Sequence, residues 1–149
     1  MIELLIAIRL SIRFICTLFN IMLQTIKRPV LISILELGGY PDFTKLYQSL
    51  GYDVFILESM RKAIKFIKHN AVDVIVAEFN FQSDFRDRTS QLESLMASLA
   101  QKQGIRVIIF YDKDQSHQFA KLTECYQFHS TLVYPVIESD LMRAIPAVK

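Results

Sequence analysis

The hydrophobic pattern is organised around Ala71 to Asn80, AVDVIVAEFN, an apolar and β-rich run with little polar alternation. Such a run reads as a strand buried on both faces. Three similar runs accompany it, Val30 to Leu35 (VLISIL), Asp53 to Leu57 (DVFIL) and Ile105 to Phe110 (IRVIIF), with a weaker fifth at Ser130 to Tyr134 (STLVY). Segments of helical period separate them, and strands of this kind alternating with helices form a parallel sheet with right-handed crossovers, covered on both sides. The pattern predicts an α/β domain with a doubly wound, five-stranded parallel sheet.

The helices follow in order. The first is expected from Pro41 or Asp42 to Leu50, with Phe43, Leu46, Tyr47 and Leu50 on one face and Gly51 as its terminator. In Met60 to His69, Ala63, Ile64, Phe66 and Ile67 face the sheet, while Arg61, Lys62, Lys65 and Lys68 form a solvated face. Ser90-x-x-Glu93 reads as a capping box opening a third helix with Leu92, Leu95, Met96 and Leu99 as its buried stripe. A short helix runs through Phe119, Leu122 and Tyr126, and Glu138 to Ile145 is the last, closed by Pro146. The loop from Phe79 to Arg88 carries three aromatics among charges at the carboxyl edge of the sheet, where folds of this type place their sites.

Residues 1–27 stand apart from the domain expected over 28–149. In MIELLIAIRLSIRFICTLFNIMLQTI the polar residues Arg9, Arg13, Thr17, Asn20 and Gln24 recur every three to four positions, one narrow stripe on an apolar helix. Two central arginines would each cost about 2.5–3.5 kcal/mol in a membrane span, which weakens that reading. Two others stand beside it. Residues 1–21 form a cationic helix on a membrane surface or against a partner, or Met22 is the true initiator and the upstream stretch is an artefact. No small-residue cleavage site precedes Lys27-Arg28-Pro29, so a secretory signal is not expected.

Composition narrows the function classes. At 149 residues the chain holds one domain's worth of core beyond this segment. Its 17 Lys+Arg against 15 Asp+Glu are scattered along the sequence and give +2, without the basic stripe of a nucleic-acid binder. Cys16 and Cys125 have no metal-ligand spacing and read as small apolar fillers in a reducing cytoplasm. His69, His117 and His129 lie on three separate segments and read as solvated, so no metal and no cofactor is expected.

The order of elements, Leu50-Gly51-Tyr52-Asp53-Val54 leading into strand two, Ala71 to Ala77 as strand three, and Tyr134-Pro135 closing strand five together resemble the receiver domain of two-component response regulators. The resemblance covers about residues 28–146 and implies a flavodoxin-like sheet of order 2-1-3-4-5. In that family an aspartate after strand three accepts a phosphoryl group. Mg²⁺ on an acidic pair after strand one, a Ser/Thr after strand four and a strand-five lysine assist it.

Carried over residue by residue, the resemblance puts Glu78 at the phosphoacceptor position. It leaves Glu36, after Ile34 and Leu35, as the remnant of the acidic pair, and it places Tyr111 and Tyr134 at the hydroxyl and lysine positions. A site without its nucleophile, one metal carboxylate, its lysine and its small hydroxyl residue implies a degenerate receiver that is not phosphorylated. The family's peptide bond before Pro135 is cis, and an aromatic before proline favours the same isomer.

Glu78 has two readings, a fixed carboxylate holding the domain in something like a signalling state or a strand-end side chain pointing to solvent. Tyr111 and Tyr134 either stack over the vacated pocket or are edge-of-core tyrosines. The expected function is a stand-alone pseudo-receiver, cytoplasmic or peripheral to the inner face of the membrane, that docks a protein partner without phosphorylation. The resemblance puts that interface, or a homodimer, on helix four, strand five and helix five, including His117, Gln118, Lys121, Tyr134, Ile137 and Arg143. The alternative is a small-ligand or nucleotide-binding domain using the Gly38-Gly39 edge.

Overall fold

The computed structural model describes residue 15 and residues 27–81 and 90–148. The expected amino-terminal helix, Cys16 and most of the loop after the central strand lie outside these residues. The elements run β1 (Val30–Ile34), α1 (Thr44–Ser49), β2 (Asp53–Ile56), α2 (Met60–His69), β3 (Val74–Glu78), α3 (Leu92–Leu99), β4 (Arg106–Tyr111), α4 (Ser116–Cys125), β5 (Ser130–Val133) and α5 (Glu138–Ala144). A 3₁₀ turn, Lys113–Gln115, leads into α4. All strand pairs are parallel in the order β2-β1-β3-β4-β5, the expected doubly wound sheet.

Strand alternation sorts the core into two layers. Ile32, Ile34, Ile75, Ala77, Val107 and Ile109 pack under α2, α3 and α4. Leu31, Val74, Val76, Ile108 and Phe110 pack under α1 and α5 with Phe43, Tyr47 and Leu141. Every residue of β3 is buried, so the central run is covered on both faces as its composition predicts.

Local chemistry shifts several boundaries. Asp42 Oδ1 accepts from the Thr44 amide at 2.9 Å, so the chain turns at Asp42 and α1 starts two residues later than expected. Gly51 ends α1 at φ +95°, a conformation that favours glycine, and a Cβ there would crowd Val148 Cβ at 3.1 Å. Ser59 Oγ accepts from the Lys62 amide at 3.3 Å and opens α2. At α3 the Ser90 hydroxyl takes the Leu92 amide at 3.2 Å rather than the Glu93 amide of a capping box.

Cys125 is exposed, not a core filler, because it sits on the outer face of the last turn of α4. No described helix is long and apolar enough to cross a membrane.

Candidate functional site

Strand order reverses between β1 and β3, and doubly wound sheets open their crevice at the carboxyl ends of the strands that flank such a point. Glu78 ends β3 there and Glu36 lies two residues past β1. Both carboxylates are already engaged by backbone. Glu78 Oε1 accepts from the Leu37 amide at 2.5 Å, and Glu36 Oε1 accepts from the Met60 amide at the first turn of α2. A carboxylate at a helix amino terminus meets unsatisfied amides and the positive end of the helix dipole, worth about 1 kcal/mol. The strand-end carboxylate thus ties β3 to the loop after β1, and that loop's own carboxylate ties it to α2.

Glu78 is 6% exposed, which overturns its reading as a solvent-pointing side chain. The Leu37 amide draws it inward, and Phe79 beside it is buried as well. Burial pushes the Glu78 carboxyl above the usual carboxylate range. The Leu37 and Glu36 amides, which bond its ionised form, work against that rise, and the nearby Glu36 charge adds to it.

A folded-state value above the unfolded one means that the native state binds more protons in the window from the ordinary carboxylate range up to the raised value. Stability therefore falls as pH rises through that window. Glu78→Gln is expected to remove this component, so that thermal unfolding of wild type and variant, scanned between about pH 4.5 and 7.5, should diverge. A constant difference across the range would contradict the burial argument.

Tyr40 and Tyr134 cover the crevice. The Tyr40 ring lies 5.2 Å from Phe110 and meets Tyr134 edge-on at 5.5 Å, both within the range of favourable ring pairs. Its hydroxyl is pushed up to about 12, first by burial and then by the charges of Glu78 and Asp112 and by Tyr134. A cavity of about 210 Å³ remains beneath, lined by Gly38, Gly39, Tyr40, Glu78, Asp112 and Tyr134 among others. The positive φ of Gly38 and Gly39 folds the loop back and carries Tyr40 over the opening.

Of the two readings open for Tyr111 and Tyr134, Tyr134 takes the pocket and Tyr111 the edge of the core. Tyr111 turns to the other face of the sheet and stacks on Phe119 at 4.4 Å, because it shares strand parity with Val107 and Ile109. Its carbonyl accepts from the Tyr134 amide at 2.8 Å, and the Tyr134–Pro135 bond is cis. Tyr40 and Asp112 were not singled out by the sequence. Asp112 had one legible signal, its place immediately after β4 at the carboxyl edge.

The donor set does not fit a divalent cation. Glu36, Glu78 and Asp112 each spend an oxygen on a backbone amide, of Met60, Leu37 and Asp114 respectively. No group of three metal-ligating side chains is assembled among the described residues. His69, His117 and His129 are all exposed on separate elements.

No family model and no curated protein matches the chain. Solved structures do. A response regulator receiver domain protein from Clostridium thermocellum is similar with a TM-score of 0.61 at 18% identity, over 78% of this chain and 90% of the other. The signal receiver domain of a putative LuxO repressor protein from Vibrio parahaemolyticus gives 0.58 at 19%, over 79% and 87%. An adenylate cyclase from Rhodopirellula baltica gives 0.58 at 14%, over 79% and 84%. At these identities the likeness is one of fold, and it agrees with the strand order and the two-layered core. The chain has the fold of a response-regulator receiver domain.

Proposed function

We propose that this chain is a pseudo-receiver, a cytoplasmic signalling module that docks a protein partner without phosphorylation and without a catalytic step of its own. The observation that carries the reading is the state of Glu78. The carboxylate at the end of β3 is buried and bonded to the Leu37 amide, beneath a lid of Tyr40 and Tyr134. A phosphoryl group there would meet the Glu78 and Asp112 charges with no lysine among the described lining residues to offset them, and Tyr134 contributes a phenol at the lysine position.

The nucleotide alternative at Gly38-Gly39 has weaker support. The cavity of about 210 Å³ is below the roughly 300–1,000 Å³ of ordinary ligand pockets, and its acidic wall repels phosphate.

For the partner surface the proposal uses the face made by α4, β5 and α5. Val133, Tyr134, Ile137 and Met142 are exposed apolar side chains there. His117 and Lys121 are exposed on α4 beside them, Gln118 is half-buried, and Arg143 is held by Asp140. A protein partner or a second copy of the chain fits this mixture of apolar centre and polar margin.

The experiment is incubation with a small phosphodonor such as acetyl phosphate and Mg²⁺, followed by intact mass. The expected result is no gain of a phosphoryl group, in wild type and in Glu78→Asp alike, because the lysine and small hydroxyl are missing in both. Stoichiometric phosphorylation of the wild type would overturn the reading.

A further inference from the structure

Cations that are scattered in sequence are gathered by the fold. Parallel strands begin at one edge of the sheet, and Lys27, Arg28, Lys68, Lys102 and Arg106 all lie at that edge among the described residues, Arg106 on the α1/α5 side beside Tyr52. Lys27 and Arg28 precede β1, Lys68 lies in the last turn of α2, and Arg106 opens β4. Lys102 Nζ donates to the Ile67 carbonyl at 2.7 Å, which holds it against the end of α2. The carboxylates of this edge are Asp53, Asp73 and, at the end of α4, Glu124, and that of Asp73 is occupied by the Val30 amide at 2.8 Å. The opposite edge holds Glu36, Glu78 and Asp112, so the molecule is electrically polar along its strands.

The basic surface continues up α2. Arg61, Lys65 and Lys68 are spaced i, i+4 and i+7 on its outer face, all exposed, and none pairs with a described carboxylate. Beside them a groove of about 590 Å³ has Met60 and Ile64 in its lining, and Phe55 and Ile56 of the neighbouring edge strand are exposed apolar side chains. The apolar, arginine-bearing residues 1–26 join the domain at this same edge, since the Pro29 carbonyl accepts from the Asp53 amide at the start of β2.

We infer that the strand-entry edge and the outer face of α2 form a docking surface for an anionic lipid membrane. Residues 1–26 supply apolar insertion and the cations of the folded domain supply the attraction. An acidic protein would satisfy the charges, but it gives no role to the apolar sequence of residues 1–26, which precedes Lys27 and Arg28 in the chain. A membrane uses both, and one apolar anchor combined with a basic patch is the pairing that gives stable attachment.

The test is flotation of the full chain with vesicles of phosphatidylcholine alone and with about one third phosphatidylglycerol, at low and high salt. Each Lys or Arg near an anionic surface changes partitioning about fivefold, so the triple variant Arg61→Gln, Lys65→Gln, Lys68→Gln is expected to bind the anionic vesicles ~100-fold more weakly than wild type. Circular dichroism checks that it remains folded. Equal binding to neutral and anionic vesicles, wild-type affinity in the folded triple variant, or no binding to either vesicle would each overturn the inference. Should the variant misfold, wild-type binding to anionic vesicles that persists undiminished at about 1 M salt would do the same, since exposed charges are then screened beyond ~3 Å.

Discussion

Replacing Phe110 with alanine is expected to lower the unfolding free energy by about 3–5 kcal/mol, the range for truncating a fully buried phenylalanine. Phe110 is 0% exposed and is the innermost ring under the site, 5.2 Å from Tyr40 and 6.2 Å from Phe43. A void there removes support from the loop after β1 and from the start of α1 together, because the Tyr40 and Phe43 rings both pack on this one. Against a total stability of about 5–15 kcal/mol for a domain of this kind, the variant would be near its unfolding threshold. Urea denaturation read by circular dichroism measures it. A loss under about 1 kcal/mol would mean that the lid rests on something other than this ring.

A second large effect separates folding from docking on the last helix. Leu141→Ala is expected to cost about 2–5 kcal/mol, because Leu141 is fully buried and fastens a seven-residue helix to the sheet. Ile137→Ser, at a side chain 54% exposed in the N-cap position of the same helix, removes no buried contact and adds a capping hydroxyl, so it is expected to leave stability unchanged or raise it by up to about 1 kcal/mol. Under the docking proposal Ile137→Ser reduces association, with a partner or with a second copy, while its melting temperature does not fall below the wild type's. Analytical ultracentrifugation and capture of the partner read the association. If Ile137→Ser were as destabilising as Leu141→Ala, the residue would be structural and the proposed face would lose its apolar centre.

Much of the fold was legible because strands and helices announce themselves by period. The bounds of α2, Met60 to His69, follow from its serine cap and its alternation of lysines with Ala63 and Ile67. The sheet order followed from the resemblance and from runs of valine and isoleucine too continuous for a half-exposed sheet. At the site, Glu78 and Tyr134 were legible by position, but their environments were not. A carboxylate at a strand end is ordinarily wet, and only the Leu37 amide, 41 residues away in sequence, explains why Glu78 is buried.

Between the two readings of Tyr111, strand parity decides for the edge of the core. In β4 side chains alternate, and Phe110 already faces α1 and α5, so its neighbour must face α4. Tyr40 was missed because its place depends on two consecutive glycines at positive φ, a loop geometry that residue type alone does not fix. The gathering of cations at one edge was hidden for a similar reason. Lys27, Lys68, Lys102 and Arg106 share one edge only once parallel strands bring their starting ends to the same side.

The central claim is that the carboxylates at the carboxyl edge are held by the chain's own backbone amides, so that among the described residues no donor set is assembled for a phosphoryl group and its metal. An amide NMR titration with Mg²⁺ and beryllofluoride, a mimic of the aspartyl phosphate, tests it most directly. The expected result is a well-dispersed spectrum in which the Glu36, Leu37, Glu78 and Tyr111 amides do not move. Saturable shifts clustered at those residues would contradict it and return the protein to phosphorylation-driven signalling.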